Sequence, residues 1–244
     1  MLLRRITKHV KDQNWFAVSL DFLIVIAGIL IAFQITNWNE ARRASANERA
    51  LLVQLQEEFE EIEFELEKQI SIRSEWIDNI GILITLLEDG VLDVDDLTVK
   101  TALDSATATG RRPARSAAYL QLMSNGGLST LGNDDLKKAL VGYDVRLERD
   151  AFIHPELMQL IVLEISTNRA VDYNMLSIER NVAAIDEPVD PDPSRKIIRS
   201  YDLAGLQAYE NRYETMYVLH KLLLAADEVQ LELAREVLVE ISEN

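Results

Sequence analysis

The sequence predicts an all-α protein, in which an N-terminal transmembrane helix is followed by a helical-bundle ectodomain with a long amphipathic first helix. Three observations predict it. Residues 16–38 form an apolar run holding a single charge, Asp21. From about residue 46, apolar side chains recur at spacings of three and four. Beyond residue 39, no stretch sustains the period-two alternation of a half-buried strand. The layout is therefore a basic cytoplasmic tail over 1–15, a transmembrane helix over 16–38 and a helical ectodomain over 39–244.

At ~1.5 Å per residue the apolar run reaches ~30 Å, the thickness of a bilayer's hydrocarbon core. Trp15 and Trp38 bracket it where interfacial aromatics belong. The tail carries Arg4, Arg5, Lys8 and Lys11, so the positive-inside rule places the N-terminus in the cytoplasm. A cleavable signal peptide would have an apolar core of roughly 7–15 residues and a small-x-small site directly after it. Here the core is longer, and the nearest such site, Ala44-Ser45-Ala46, follows a polar stretch. The reading is an uncleaved anchor, and a buried helix of a soluble protein is the alternative.

Within the span, Asp21 has two readings: a solvated or partly protonated interfacial acid, or a polar contact to another helix. Gly28 and Ala32 are spaced i, i+4, a small-xxx-small pattern that permits close helix approach.

Net charge divides at the span. Residues 1–38 carry four basic and two acidic side chains, +2, which leaves −18 for the rest of a chain whose total is −16. So acidic a domain would repel nucleic acid, which leaves proteins, cations or nothing at all as its partners, while the lipid bilayer is the partner of the span. Cysteine is absent, which excludes disulfides, thiolate metal sites and cysteine nucleophiles.

The first ectodomain helix carries Leu52, Leu55, Phe59, Ile62, Leu66, Gln69, Arg73, Trp76, Ile80, Leu83 and Leu87 at helical spacing. Gln69 and Arg73 interrupt this seam, and Ile70, Ile72 and Ile77 are expected to take over the buried face. No proline precedes Pro113, so span and helix can run on with only a bend near 37–46. The polar face, with Glu57, Glu58, Glu60, Glu61, Glu63, Glu65 and Glu67, reads as solvated rather than as a cation site. Glu88-Asp89-Gly90 ends the helix, Gly90 suiting the left-handed C′ position. Asp93 or Asp95 then caps a short helix through about residue 108. Asp93, Asp95 and Asp96 lack EF-hand spacing and its distal glutamate.

The one basic cluster of the ectodomain is Gly110-Arg111-Arg112-Pro113-Ala114-Arg115, ahead of a helix over 114–124. Arg111, Arg112 and Arg115 either pair with the domain's own glutamates or dock a carboxylate or phosphate ligand. Asn125-Gly126-Gly127 breaks that helix, and Asn133-Asp134-Asp135 caps the next. Pro155 kinks or restarts it, after which the pattern runs to Leu176 or beyond. Residues 185–195, IDEPVDPDPSR, read as an exposed loop. A last helix occupies 201–241, with Asp202 as N-cap, and its length suits antiparallel packing against the first.

The three histidines, His9, His154 and His220, form no ligand pair, and no nucleotide-binding, zinc-protease or serine-hydrolase motif occurs. No acid/base pair, cofactor or metal site is proposed, and the chain is expected not to be an enzyme. His220 in its apolar stripe reads as a packed helix residue, and His154 beside Pro155 as a kink residue.

Two stretches resemble a widespread, functionally uncharacterised family of bacterial single-pass membrane proteins. In that family the apolar run ends in a Gln-Ile-x-Asn-Trp-Asn-Glu motif, matched by Gln34-Ile35-Thr36-Asn37-Trp38-Asn39-Glu40, often with an acid where Asp21 stands. Thr36 departs from the Asn expected there. The second stretch runs from Ala118-Tyr119-Leu120-Gln121-Leu122 through Gly127-Leu128 to Leu131-Gly132-Asn133 and Leu136. The resemblance implies a mostly helical membrane protein and brings no catalytic residue.

The leading expectation is a non-enzymatic protein of the bacterial inner membrane, N-terminus cytoplasmic and C-terminal domain periplasmic. It would act through protein contacts, as a homo-oligomer or with a membrane protein partner. The runner-up is a periplasmic sensor bundle that binds a small ligand and signals through a separate transducer. A weaker third is an oligomeric pore with Asp21 in its lumen.

Overall fold

In the computed structural model, the described residues are 15–90, 94–174 and 197–243. The expectations for the basic tail, for Asp93 and for the loop over 185–195 lie outside them. The chain is mostly helical. In order, it forms α1 (Trp15–Asp89), α2 (Asp96–Ala106), α3 (Ala117–Ser124), a 3-10 turn (Gly127–Thr130), α4 (Asp134–Asp150) and α5 (Ile153–Thr167). Two strands follow, β1 (Val171–Tyr173) and β2 (Ile198–Tyr201). A short helix α6 (Leu203–Leu206), a second 3-10 turn (Gln207–Tyr209) and the long α7 (Glu210–Ser242) complete it. Two compact units result, Met1–Val53 and Gln54–Asn244, with α1 contributing to both.

In the first unit the apolar part of α1 is exposed throughout residues 19–38. An 18-residue window of mean hydropathy 2.1 has none of its residues buried, and among the described residues this is the one helix long and apolar enough to cross a membrane.

The second unit is a helical bundle. Residues 54–89 of α1 run antiparallel to α7, as the pairs across them show. Glu63 meets Arg235, Arg73 meets Asp227, Gly81 faces Tyr217, and Gln207 donates to the Leu87 carbonyl. Both helices bury a heptad seam. On α1 it includes Leu55, Phe59, Ile62, Leu66, Arg73, Ile77, Ile80, Leu83 and Leu87. On α7 it is Tyr213, Met216, His220, Leu223, Asp227, Gln230, Ala234, Val237 and Ile241, spaced three and four throughout.

Helices α4 and α5 pack on α7 and close the core. At one end Phe59 meets Tyr143 edge to face at 5.0 Å, and Leu122, Leu136, Leu140 and Val237 are buried. At the other, Ile80, Leu83 and Leu87 pack with Val99, Leu103, Leu157, Ile161, Tyr213 and Met216.

Helix ends follow local chemistry. Gly90 ends α1 with φ +66°, as its lack of a Cβ allows. The Asp95 carboxylate accepts from Thr98 N, the Ser116 hydroxyl from Tyr119 N at 3.0 Å, and Asn133 Oδ1 from Asp135 N and Leu136 N. Each satisfies donors that the first turn leaves unpaired. The chain restarts at α5 with Pro155 in its first turn, where the missing N–H breaks no ladder bond.

Four expectations need correction. The ectodomain is not purely helical: β1 and β2 form an antiparallel pair, Val171 opposite Tyr201 and Asp172 opposite Ser200. Accordingly α5 stops at Thr167 rather than reaching residue 176, and the continuous last helix begins at Glu210, not at residue 201. The cause is a buried hub. Glu164 Oε1 accepts from the hydroxyls of Tyr213 (2.6 Å) and Tyr173 (2.9 Å) and from the Asn168 amide, while Oε2 takes Arg212 at 2.8 Å. The Asn168 Oδ1 accepts from Ala170 N, turning the chain out of the helix and into β1. Burial raises the Tyr173 and Tyr213 phenols far above the ordinary tyrosine range, and the Glu164 charge adds to the shift.

Finally, Arg73 is not displaced from the seam. It is fully buried; of the three isoleucines expected to take over, Ile77 is buried, whereas Ile70 and Ile72 are only half-buried.

Candidate functional site

Residues 110–116 lie as a strap across the face of α1 that carries Glu58, Glu61 and Glu65, and a groove of about 450 Å³ opens between them. The strap is pinned at nearly every residue. Gly110 takes φ +64°, and a Cβ there would collide with the Gln69 amide and lie 2.8 Å from Arg73 Nη2. The Gly110 carbonyl faces His154 Nε2 at 3.4 Å, and Arg111 N donates to Gln69 Oε1 at 3.2 Å. The Ala114 carbonyl accepts from Tyr143 OH at 2.7 Å. Glu58 receives the Ser116 hydroxyl at 2.7 Å and Ala118 N at 3.1 Å. Burial pushes the Glu58 carboxyl up, but these bonds and the Gln54 amide outweigh it and hold the group below the usual carboxylate range.

The three arginines differ. Arg115 binds Asp144 at 2.8 Å and Glu148 at 2.5 Å, both on α4. Arg111 reaches Glu65 at 4.0 Å, both side chains remaining nearly half exposed. Arg112 is exposed, and no ion pair engages it among the described residues. Its charge and that of Arg73 add to the burial that lowers the His154 pKa. The expected pairing with the domain's own acids thus holds for Arg111 and Arg115, and Arg112 is left facing the groove.

Next to the strap, midway along the α1–α7 seam, lies a polar layer. Arg73 Nε donates to Asp227 Oδ2 at 3.0 Å, and its Nη1 lies 3.5 Å from His220 Nδ1. Trp76 closes over the layer, 5.8 Å from the His220 ring and 5.9 Å from the guanidinium. Burial lowers the His220 imidazole to about 3, and the Arg73 charge works in the same direction. Burial also raises Asp227 to about 6 against the pull of Arg73. Arg73 Nη2, Gln69 Nε2 and His220 Nε2 have no hydrogen-bond partner among the described residues. His220 is packed as expected, and His154 sits beside Pro155 in the first turn of α5, at the break between α4 and α5, as the kink reading expects. The Arg73–Asp227 pair is what the sequence reading missed. Its signal was present: Asp227 and His220 stand on the 3–4 seam of α7, as Arg73 does on that of α1.

The remaining candidates lie in the first unit. At ~100° per residue, Asp21, Gly28 and Ala32 fall within ~40° of one helix face, and all three are exposed. Elsewhere on the helix, Arg42 sits 5.8 Å over the Trp38 ring and Thr36 donates back to the Ala32 carbonyl at 3.0 Å. In the second unit, the carboxylates of Glu88, Glu210 and Glu214 lie within 4.8 Å of one another, and no histidine joins them among the described residues.

No curated protein and no solved structure matches the chain. A family model does match, over residues 21–193, from Asp21 through the strap, α4, α5 and β1. That span is most of the chain, and the protein belongs to the family of unknown function DUF6090.

Proposed function

We propose that the chain is a non-enzymatic, single-pass protein of the bacterial inner membrane, with a cytoplasmic N-terminus and a periplasmic helical domain. It acts through protein contacts, by self-association or with a membrane partner. The observation that carries this reading is the bare apolar part of α1. Phe22, Leu23, Ile24, Leu30, Ile31 and Phe33 are each about 60 % exposed or more. At roughly 25 cal/mol per Å² of apolar surface, a bilayer stabilises such a helix by far more than one polar side chain costs. The shared face of Asp21, Gly28 and Ala32 supports a helix–helix contact there.

The natural chain has no cysteine, so single cysteines report contacts cleanly. Gly28→Cys and Ala32→Cys should cross-link in oxidised membranes, and Leu30→Cys, on the opposite face, should not. Monomer at all three positions, with no partner recovered by pull-down, would count against the proposal.

A second reading is favoured by the groove beneath Arg111, Arg112 and Arg115: a sensor domain that binds a small ligand and passes the signal to a separate transducer. A volume of about 450 Å³ is within the ordinary range for small-molecule sites.

A further inference from the structure

The groove has two walls of opposite charge. One is α1, with Glu58, Glu61 and Glu65; the other is the strap, with Arg111, Arg112 and Arg115. Most of these charges are already spent. Glu58 is bonded to Ser116 and Ala118, Arg115 to Asp144 and Glu148, and Glu65 and Arg111 face each other at 4.0 Å. One group on each wall is left. Glu61 and Arg112 are exposed, and neither has a hydrogen bond or ion pair among the described residues.

The strap cannot simply collapse to bring these two together. Its bonds at Gly110, Arg111, Ala114, Arg115 and Ser116 fix its path on both sides of Arg112. The unpaired charges are therefore held apart across a preformed space, which suits a ligand carrying both complementary charges.

The charge of the domain narrows the class further. A simple anion would approach a domain of about −18 against its field, and a simple cation would meet Arg112 at the site. A molecule of zero net charge escapes both penalties.

We propose that this groove binds a small zwitterion, its anionic group held by Arg112 and its ammonium by Glu61. The proposal rests on the ligand-binding reading above and names the ligand class. Free amino acids and the phosphoethanolamine headgroup of a lipid share this chemistry.

The test uses the full chain in detergent micelles with labelled histidine, titrated by NMR. Arg112 helps hold the His154 pKa down, so an anionic group on Arg112 raises it. The probes are the twenty protein amino acids and glycerophosphoethanolamine, each at up to about 10 mM. Each amino acid that binds is compared with its deaminated acid and its decarboxylated amine.

Saturable binding of one or more amino acids, with an upward His154 shift, is the expected result. Binding of glycerophosphoethanolamine alone also supports the proposal and assigns the source to lipid. Arg112→Gln and Glu61→Gln should each weaken binding about tenfold or more. A deaminated acid that binds as well as its parent, or a Glu61→Gln variant of unchanged affinity, overturns the zwitterion and leaves an anion site. If no probe moves His154, both the zwitterion and the ligand-binding reading fall.

Discussion

Replacing Arg73 by methionine removes one partner of a buried ion pair and leaves the other in place. Asp227 is 2 % exposed and Arg73 fully buried, so neither can recover its hydration by a rotamer change. Losing one member of such a pair costs about 3–5 kcal/mol, because the survivor is desolvated without compensation. Replacing both by apolar residues of similar total volume is close to neutral or stabilising. Methionine is slightly smaller than arginine and valine somewhat larger than aspartate, so Arg73→Met with Asp227→Val stays close to the summed volume. The assay is urea unfolding of the full chain followed by circular dichroism. With a slope of about 2 kcal/mol per molar urea, either single variant should lower the midpoint by about 2 M. The double variant should return to within about 0.5 M of the natural chain. Additive small losses, each below about 1 kcal/mol, would show that water reaches the pair and would refute the argument.

Three further outcomes follow from the same geometry. His220 titrates near 3 in the folded chain and near 6.5 when unfolded, so it contributes stability above pH 6.5 that is lost as pH falls toward 3. His220→Gln removes this dependence, and its stability relative to the natural chain should improve by roughly 2 kcal/mol between pH 8 and pH 5, measured by urea unfolding. Asp227, with its raised pKa, works in the opposite sense, losing its contribution as pH rises from about 4 to 6; being common to both chains it cancels in the difference.

Gly110→Ala should cost clearly more than Gly126→Ala. Both glycines have positive φ, worth about 1–2 kcal/mol, but a Cβ at Gly110 meets Gln69 and Arg73 whereas at Gly126 the space is open; equal melting temperatures would contradict the packing of the strap. Glu164→Gln puts a donor where Glu164 now accepts from Tyr173, Tyr213, Asn168 and Arg212. A loss of about 3 kcal/mol, or 6–12 °C by thermal unfolding, is expected.

Much of the bundle was legible because helix periodicity and capping are local properties. Gly90, Asp95, Ser116 and Asn133 end or begin helices where a missing Cβ or a short polar side chain makes that favourable. The two strands were not legible. VDY and IRSY are too short to show period two, and α5 ends through Glu164, whose tyrosine and arginine partners come from β1 and α7.

Arg73 shows the same limit in the core. From α1 alone it is a charge that interrupts an apolar seam, and only the antiparallel register, 154 residues away in sequence, supplies Asp227. The strap was visible as a basic cluster. That two of its arginines are engaged while Arg112 has no ion pair among the described residues depends on α4 and on α1, and no spacing within residues 110–115 encodes it.

The most direct test of a single-pass anchor with an external domain is a C-terminal alkaline phosphatase fusion to the full chain. Such a reporter folds to an active enzyme only outside the cytoplasm. The account predicts an active fusion that stays with the membrane pellet after alkaline extraction. An inactive fusion, or an active one released into the soluble fraction, would contradict it.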